Sequence, residues 1–243
     1  MDLSGFTNFA RKVIPCKPCG AVLVAAGSAR RMGGVDKIMA DLGGEPLVVR
    51  TVRAFQETAV IREIVLVTRT DLIGPIQDLC HQAGFTKVKL VVAGGATRQE
   101  SVRQGLAGLS REMKLAAIAD AARPLVSPQL IDRVVRAADT FHAAAPALPV
   151  KDTVKEARDG FVVQTPDREI LRAVQTPQVF DYDMIRGALD LAIRQGASIT
   201  DDCAAAERMG MTVKLVEGEE KNFKVTTQQD LLLARVLLQE AQP

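Results

Sequence analysis

From residue 21 onward, short apolar runs alternate with longer segments that have the pattern of amphipathic helices. Six runs have the character of strands buried on both faces, namely residues 21–26, 64–68, 87–92, 115–119, 143–150 and 212–216. A strand without a polar face needs cover on both sides, which helices provide in parallel sheets. The alternation therefore predicts an α/β fold with a mainly parallel sheet flanked by helices.

The starts of four helices can be read from residues that cap or open a helix. We expect these starts at Pro46, at Thr97 with Glu100, at Ser127 before Pro128, and at Thr227 with Asp230. A Ser or Thr hydroxyl accepts a hydrogen bond from an unpaired N–H of the first turn, and an acidic residue three positions later completes a capping box. Proline suits the first turn because its ring presets φ. The helix with Pro46 in its first turn is expected to run through Phe55.

One segment departs from this alternation. Residues 151–175 are polar, favour β-structure and contain a turn at Arg158-Asp159-Gly160. An isolated two-stranded hairpin is marginally stable unless it packs against something else. We therefore predict a single domain over residues 21–243, from which residues 151–175 protrude as a hairpin arm. Residues 1–20 are a lead-in to which the pattern assigns no structure.

Composition excludes several classes of protein. The 31 basic and 29 acidic residues give a net charge of +2, and aromatic residues make up only 4%, which argues against a nucleic-acid partner. No apolar run reaches the roughly 18 residues of a membrane span. The N-terminus lacks the apolar centre of a signal peptide, and four cysteines are too few for a disulfide scaffold. We expect a cytoplasmic protein that does not enter membranes.

Residues 25–37, AAGSARRMGGVDK, directly follow the first predicted strand and have the features of an anion-binding loop. Small residues let the backbone approach a phosphate closely, while Arg30, Arg31 and Lys37 add positive charge. The glycine spacing fits neither the dinucleotide fingerprint nor the Walker loop. Phosphate binding is the favoured interpretation, and a mobile turn with solvated arginines is the alternative.

Two further clusters follow predicted strands. Residues 94–101, GGATRQES, combine a glycine turn with a capped helix start. Asp120 follows the fourth strand, where its carboxylate is placed either to help hold Mg²⁺ or simply to cap the next turn. Cys16 and Cys19 have the spacing of a metal or redox motif, but no second such pair exists, so neither function is favoured.

The chain resembles the 2-C-methyl-D-erythritol 4-phosphate cytidylyltransferase family in a succession of motifs, which are AVLVAAGSARRMGGVDK, GGATRQESV, ADAARP, PVKDTVK, QTPQ, ITDD and VEGEEKNFKVTTQQDL. The first motif alone indicates only a sugar-phosphate nucleotidyltransferase, and the later succession is more specific. The resemblance covers residues 20–240. The chain differs from the family at Ala119, where His is usual, and at Asp202-Cys203, where Glu-Ala is usual. Its first twenty residues match no motif.

The resemblance implies a reaction in which CMP is transferred from CTP to 2-C-methyl-D-erythritol 4-phosphate. The products are 4-diphosphocytidyl-2-C-methyl-D-erythritol and pyrophosphate, in non-mevalonate isoprenoid precursor biosynthesis. It also implies a Rossmann-like sheet, a divalent cation such as Mg²⁺, and a homodimer in which the arm is exchanged between subunits.

Residue roles follow from the same resemblance. It implies catalytic roles for Arg31, Lys37, Arg168 and Lys224. It implies nucleotide contacts at Ala25, Ala26, Gly27, Gly95, Ala96, Ser101, Asp120 and Ala121, with Asp120 also near the metal. Further substrate contacts are implied at Arg123, Thr153, Thr176 and Thr200. Arg123, Thr153 and Arg168 are implied to reach the site from the partner subunit.

Two alternatives stay open from the sequence. A ribitol 5-phosphate cytidylyltransferase would share the loop and the arm and differ only where the polyol binds. An inactive nucleotide-binding regulator would share the fold, although the retained Arg31, Lys37, Arg168 and Lys224 argue against it.

Overall fold

A computed structural model describes residues 16–27 and 36–240. The strands are β1 (Cys19–Val24), β2 (Ile61–Thr68), β3 (Val88–Ala93), β4 (Leu115–Asp120), β5 (Ala143–Pro149), β6 (Glu156–Arg158), β7 (Phe161–Gln164), β8 (Arg172–Val174), β9 (Gln178–Asp181) and β10 (Lys214–Glu217). The α-helices are α1 (Leu47–Glu57), α2 (Ile73–Gln82), α3 (Arg98–Ala107), α4 (Pro128–Phe141), α5 (Tyr182–Arg194), α6 (Asp202–Arg208) and α7 (Gln228–Gln239).

The main sheet has the strand order β10-β5-β9-β4-β1-β2-β3, with β8 paired to β5. Neighbouring strands run parallel except at β9, which is antiparallel to β4 and β5, and at β8, which is antiparallel to β5. The predicted α/β class and the mainly parallel sheet are confirmed, and all six predicted strands are present. The sequence pattern missed β9, a four-residue strand in the middle of the sheet.

Alternating side chains of the central strands explain why both faces of the sheet are covered. On β1, Ala21 and Leu23 pack into one buried cluster with side chains of α1, α2 and α4. Val22, between them, packs into the cluster on the other face with side chains of α3, α5 and α6. Because successive strand residues point to opposite faces, an uninterrupted apolar run fills two cores at once. The result is three layers, with the sheet between two layers of helices.

The expected caps are found at three of the four helix starts. Thr97 and Thr227 form capping boxes with Glu100 and Asp230, and the Ser127 hydroxyl accepts a hydrogen bond from the N–H of Leu130. The prediction for α1 is wrong by one position. Pro46 lies before the helix as its N-cap, because its ψ of 143° is extended, and α1 continues past Phe55 to Glu57.

The arm contains the predicted hairpin. Strands β6 and β7 pair only with each other, and the turn between them uses positive φ angles at Asp159 (52°) and Gly160 (84°). Its apolar side chains face solvent in the single chain, with Phe161 78% exposed. The final residues of the predicted arm behave differently, since β8 returns to the main sheet beside β5.

Strand order also determines where a ligand can lie. β1 has β2 on one side and β4 on the other, so the chain winds outward in opposite directions from the β1–β4 pair. Such a switch point leaves a crevice at the carboxyl ends of the two strands. No helix among the described residues is long and apolar enough to cross a membrane.

Candidate functional site

A cavity of about 330 Å³ opens at the carboxyl ends of β1 and β4. Its walls come from the segment after β1, the start of α3, the end of β4 and the segment before α7. The lining residues are Val24, Ala25, Ala26, Gly27, Lys37, Ile38, Gly95, Ala96, Thr97, Arg98, Ser101, Asp120, Ala122 and Lys224. The cavity is therefore at the switch point that the topology indicates.

Small residues form one wall because two chain segments approach closely there. The N–H of Ala25 donates to the carbonyl of Val67 at 2.7 Å, which continues the β1–β2 ladder past the end of β1. A Cβ atom on Gly94 would lie 2.6 Å from the Cβ atom of Ala26, which no real side chain tolerates. Glycine at this position allows the segments after β1 and β3 to lie side by side.

The start of α3 forms the adjoining wall. The Ser101 hydroxyl donates to the carbonyl of Thr97 at 2.9 Å and accepts from the N–H of Gly95 at 3.1 Å. The capping box between Thr97 and Glu100 fixes the first turn of the helix. These bonds hold the backbone of residues 95–97 at the cavity in one conformation.

Three charged side chains meet at the end of β4. The Lys224 Nζ atom lies 2.8 Å from Asp120 Oδ2, and the Arg98 Nε atom lies 3.8 Å from Asp120 Oδ1. Burial alone would raise the pKa of the Asp120 carboxyl, but the charges of Lys224 and Arg98 outweigh burial and hold the pKa below its ordinary value. The cavity thus presents an ionised carboxylate flanked by two cations.

Asp202, the first residue of α6, forms an ion pair with Arg98. The Arg98 Nη1 and Nη2 atoms donate to the two carboxylate oxygens of Asp202 at 2.9 and 2.7 Å. The Asp202 side chain is fully buried. Burial raises the pKa of Asp202, whereas the charge and hydrogen bonds of Asp202 raise that of Arg98 against the opposing effect of burial. The pair is a bidentate ion pair between two helix starts.

A polar network attaches the base of the arm to the segment that carries Lys224. The Nδ2 group of Asn222 donates to the carbonyl of Thr176 at 2.9 Å and to Gln175 Oε1 at 3.2 Å. The Thr176 hydroxyl in turn accepts from the N–H of Asp120 at 3.1 Å. Asn222 is fully buried, so Lys224 lies two residues beyond a fixed point.

The structure brings together nine of the residues implied by the resemblance, all of which line the cavity: Ala25, Ala26, Gly27, Lys37, Gly95, Ala96, Ser101, Asp120 and Lys224. Lys37 also donates from Nζ to the carbonyl of Val225 at 3.4 Å, which joins the segments after β1 and before α7. Arg31 lies outside the described residues.

Six other implied residues do not line the cavity in the single chain: Ala121, Arg123, Thr153, Arg168, Thr176 and Thr200. Thr176 contacts Asp120 from behind, and Ala121 is buried beside it. Arg123 Nη1 donates to the carbonyl of Asn222 at 2.5 Å, next to the Lys224 segment of its own chain. Thr153, Arg168 and Thr200 are exposed, and Arg168 contacts the carbonyl of Lys151 within the arm.

Sequence reasoning assigned no site role to five lining residues, which are Val24, Ile38, Thr97, Arg98 and Ala122, although Thr97 and Arg98 belong to the cluster at residues 94–101. Only Arg98 carries a charge. The available signal was its place at the first helical position beside a glycine turn, and the departure of Asp202 from the family pattern was a second signal. Nothing in the sequence showed that these two residues, 104 positions apart, contact each other.

The carboxylate content of the cavity bears on metal binding. Among the described residues, Asp120 is the only acidic side chain in the cavity wall, and no group of three or more His, Cys, Asp or Glu side chains could hold a metal ion. This donor set does not suit an all-protein metal cage. It fits Mg²⁺ bound mainly by substrate phosphates, since Mg²⁺ usually takes only one or two protein carboxylates.

The two N-terminal cysteines lie away from the cavity, at the start of β1. Cys19 is fully buried, and burial raises the pKa of its thiol. Burial and the nearby Asp139 carboxylate raise the pKa of the Cys16 thiol to about 11. Both thiols are therefore protonated at neutral pH, whereas reactive cysteines have lowered pKa values.

Comparison with known proteins adds independent information. A model of the 2-C-methyl-D-erythritol 4-phosphate cytidylyltransferase family matches residues 19–240. The protein of that name from Caldanaerobacter subterraneus is 40% identical over 223 residues, which cover 90% of this chain and 98% of the relative.

Solved structures agree with the sequence comparison. A 4-diphosphocytidyl-2C-methyl-D-erythritol synthase from Anaerococcus prevotii superposes with a TM-score of 0.82 at 31% identity, covering 92% of this chain and 96% of the other. The 2-C-methyl-D-erythritol 4-phosphate cytidylyltransferase from Thermus thermophilus gives a TM-score of 0.75 at 34% identity, covering 90% and 98%.

Proposed function

The chain belongs to the 2-C-methyl-D-erythritol 4-phosphate cytidylyltransferase family, and we propose that the cavity between β1 and β4 is the place where it performs that family's reaction. The enzyme transfers a cytidylyl group from CTP to methylerythritol 4-phosphate in the non-mevalonate pathway. An oxygen of the acceptor phosphate forms a bond to the α-phosphorus of CTP. The bond from that phosphorus to the bridging oxygen breaks, and pyrophosphate leaves.

The triphosphate lies against the small-residue wall, at Ala25, Ala26 and Gly27. Phosphoryl transfer needs charge neutralisation and positioning more than covalent help from protein. Lys37 lines this wall and supplies positive charge to the phosphates. Arg31 belongs to the same loop in sequence and has the same role. These cations stabilise the negative charge that spreads over the phosphoryl oxygens during transfer.

The nucleoside lies between the start of α3 and the end of β4. Gly95, Ala96 and Ser101 present a rigid backbone surface to the cytosine. Asp120, beside Ala121, accepts a hydrogen bond from a ribose hydroxyl through its carboxylate. Thr176 supports this role because its hydroxyl orders the Asp120 backbone.

The acceptor phosphate binds next to Lys224, on the other side of Asp120. Two anionic substrates repel each other at close range, so fixed cations must offset that repulsion. Lys224 supplies one charge, and the Arg168 guanidinium of the partner's arm supplies a second in bidentate geometry. Thr153 of the same arm and Thr200 are further proposed contacts of the acceptor. The resemblance implies that Arg123 comes from the partner subunit, but Arg123 is hydrogen-bonded to Asn222 beside the Lys224 segment of its own chain, so we propose that it serves the acceptor side of its own cavity.

A divalent cation, Mg²⁺ in our proposal, would be held mainly by the CTP phosphates, and Asp120 is the carboxylate of the cavity wall that could also bind it. When bound, it neutralises part of the triphosphate charge and orients the phosphates. The direct ion pair between Asp120 and Lys224 argues that Asp120 contributes at most part of the coordination.

The arm accounts for the proposed homodimer. Phe161 and Ile170 are 78% and 76% exposed in the single chain, although both are large apolar side chains. A two-fold partner that covers the arm would bury them and receive Arg168 in its own cavity.

The four free thiols of the described residues fit a reducing compartment, and we place the reaction in the cytoplasm.

The observation that carries this proposal is the Asp120–Lys224 pair at 2.8 Å in the wall of a cavity bounded by small residues. Pyrophosphate release should be measured with each of four nucleoside triphosphates and with methylerythritol 4-phosphate or ribitol 5-phosphate. We expect release only with CTP and methylerythritol 4-phosphate. Faster pyrophosphate release with ribitol 5-phosphate would show that ribitol 5-phosphate is the acceptor instead. No release with any pair of substrates would indicate a nucleotide-binding regulator.

A further inference from the structure

Arg98 has an unusual position for a cation that lines a nucleotide cavity. It lines the cavity, yet both terminal nitrogens of its guanidinium are bound to the Asp202 carboxylate. Its Nε atom lies 3.8 Å from Asp120 Oδ1. That separation is too long for a hydrogen bond but short enough for charge attraction.

The backbone at Asp202 is hydrogen-bonded to β9, which restrains the position of its carboxylate. The N–H groups of Asp202 and Cys203 both donate to Gln178 Oε1 at 3.0 Å. Gln178 Nε2 donates in turn to Asp201 Oδ2 at 2.8 Å. A fully buried carboxylate fixed through its backbone is a rigid anchor for the arginine that it binds.

As a result, the two carboxylate oxygens of Asp120 have different partners. Oδ2 is engaged by Lys224 at 2.8 Å. Among the described residues, none donates a hydrogen bond to Oδ1. If Asp202 did not hold both terminal nitrogens of Arg98, that guanidinium would be free to swing toward Oδ1 and bind it directly. The substrate hydroxyl would then have to displace a charged hydrogen bond, which is stronger than a neutral one.

We propose that Asp202 is a positioning residue, which holds Arg98 beside Asp120 without allowing a hydrogen bond between them and so keeps Asp120 Oδ1 open to a hydroxyl group of the substrate. The inference rests on the proposed function, because it acts through the substrate contact of Asp120.

The test is a double-mutant cycle between positions 202 and 120. Asp202→Asn keeps the shape but offers only one acceptor to two guanidinium nitrogens, so Arg98 is released. We expect kcat/KM for CTP to fall about 100-fold, as for a misplaced catalytic geometry. Asp202→Glu, the matched control, should stay within about threefold because it restores both acceptors.

In an Asp120→Asn background, Asp202→Asn should add less than about a threefold loss, because the two residues act through one contact. Full additivity of the two losses would overturn the inference while leaving the role of Asp120 intact. Unchanged kcat/KM in folded Asp202→Asn would do the same. Near-normal activity of Asp120→Asn would show instead that Asp120 does not contact the substrate. That result would contradict the inference as well, because Asp202 is proposed to act through Asp120.

Loss of a buried ion-pair partner can also unfold a protein, so a second variant is needed. Arg98→Met with Asp202→Leu replaces the pair by apolar side chains, which often preserves stability. No guanidinium remains to cover Asp120, so we expect kcat/KM within about tenfold of the unmodified enzyme. Circular dichroism would establish that each variant is folded. A folded double variant as impaired as Asp120→Asn would contradict the inference.

Discussion

The end of β4 and the hairpin arm differ in where their side chains find partners. At the end of β4, the charged groups have partners within the chain: Asp120 with Lys224, and Arg98 with Asp202. In the arm, β6 and β7 pair only with each other, and every residue of these two strands is exposed.

This difference indicates a division of labour in the site. The nucleotide half of the cavity is preorganised by a single chain, since its geometry comes from strand ends and capped helices. In our proposal, the half that receives the acceptor phosphate takes Arg168 from the partner subunit, because Arg168 is exposed in the single chain and does not line the cavity. Each of the following measurements tests whether the two halves are really distinct.

The largest effect is expected in the preorganised half. Lys37→Ala should lower kcat about 100- to 1,000-fold, because it removes one preorganised cation from the transition state. CTP affinity measured by calorimetry should change much less. Lys89→Ala, which removes an exposed lysine from β3, is the matched control and should leave both quantities unchanged. Near-normal kcat in Lys37→Ala would show that Lys37 does not stabilise the transition state.

Subunit mixing tests whether the arm completes the partner's site. An equal mixture of Lys37→Ala and Arg168→Ala chains should recover about a quarter of the unmodified activity, since half of the dimers are mixed and each has one intact site. Lys37→Ala mixed with Lys224→Ala is the control. Both residues belong to the cavity of one chain, so that mixture should recover nothing. Recovery in both mixtures, or in neither after confirmed exchange, would contradict arm exchange.

A charge on the arm should weaken the dimer. Phe161→Asp replaces a side chain that the proposed interface buries, and the dimer dissociation constant should rise about 10- to 100-fold, the equivalent of losing one buried large apolar side chain. Sedimentation measures this directly. Val236→Asp, on the exposed face of α7, is the matched control and should leave the constant unchanged. A dimer unaffected by Phe161→Asp would show that the arm is not its interface.

The smallest effect concerns the ionisation of Asp120. Lys224→Ala should raise the Asp120 pKa, because Lys224 is the strongest of the charges that lower it. Because the pKa of Asp120 is lower in the folded than in the unfolded chain, its ionised carboxylate stabilises the fold at pH values above the unfolded pKa of about 3.9. This stabilisation is lost as the pH falls through the folded-state pKa. The free energy of unfolding should therefore depend less steeply on acid pH in the variant. Carboxyl carbon NMR reports the pKa, and an unchanged value would contradict the pairing.

Much of the fold could be predicted because its determinants are local. Apolar runs mark six strands, and the caps at Thr97, Ser127 and Thr227 depend on residues within one helical turn. Strand β9 escaped prediction because four residues carry too little periodicity, and its place between β4 and β5 is set by distant partners.

The candidate site divides in the same way. Its loop residues were predictable because they follow strand ends and match known motifs. The Arg98–Asp202 pair was not, because it joins helix starts 104 residues apart and depends on how α6 is fixed to β9. Local patterns identify which groups are available, whereas the folded chain decides which of them meet.

The central position of β9 has a consequence for how the chain reaches its folded state. Strands β1 to β4 pair with one another using only the first 120 residues, so that half of the sheet can assemble early during synthesis. β5 cannot join β4 directly, because β9 lies between them and follows the arm in sequence. We therefore expect the arm to leave the ribosome when β1 to β4 have already paired but β5 has not yet joined them. The sheet would become continuous only after β9 is synthesised and pairs with both β4 and β5.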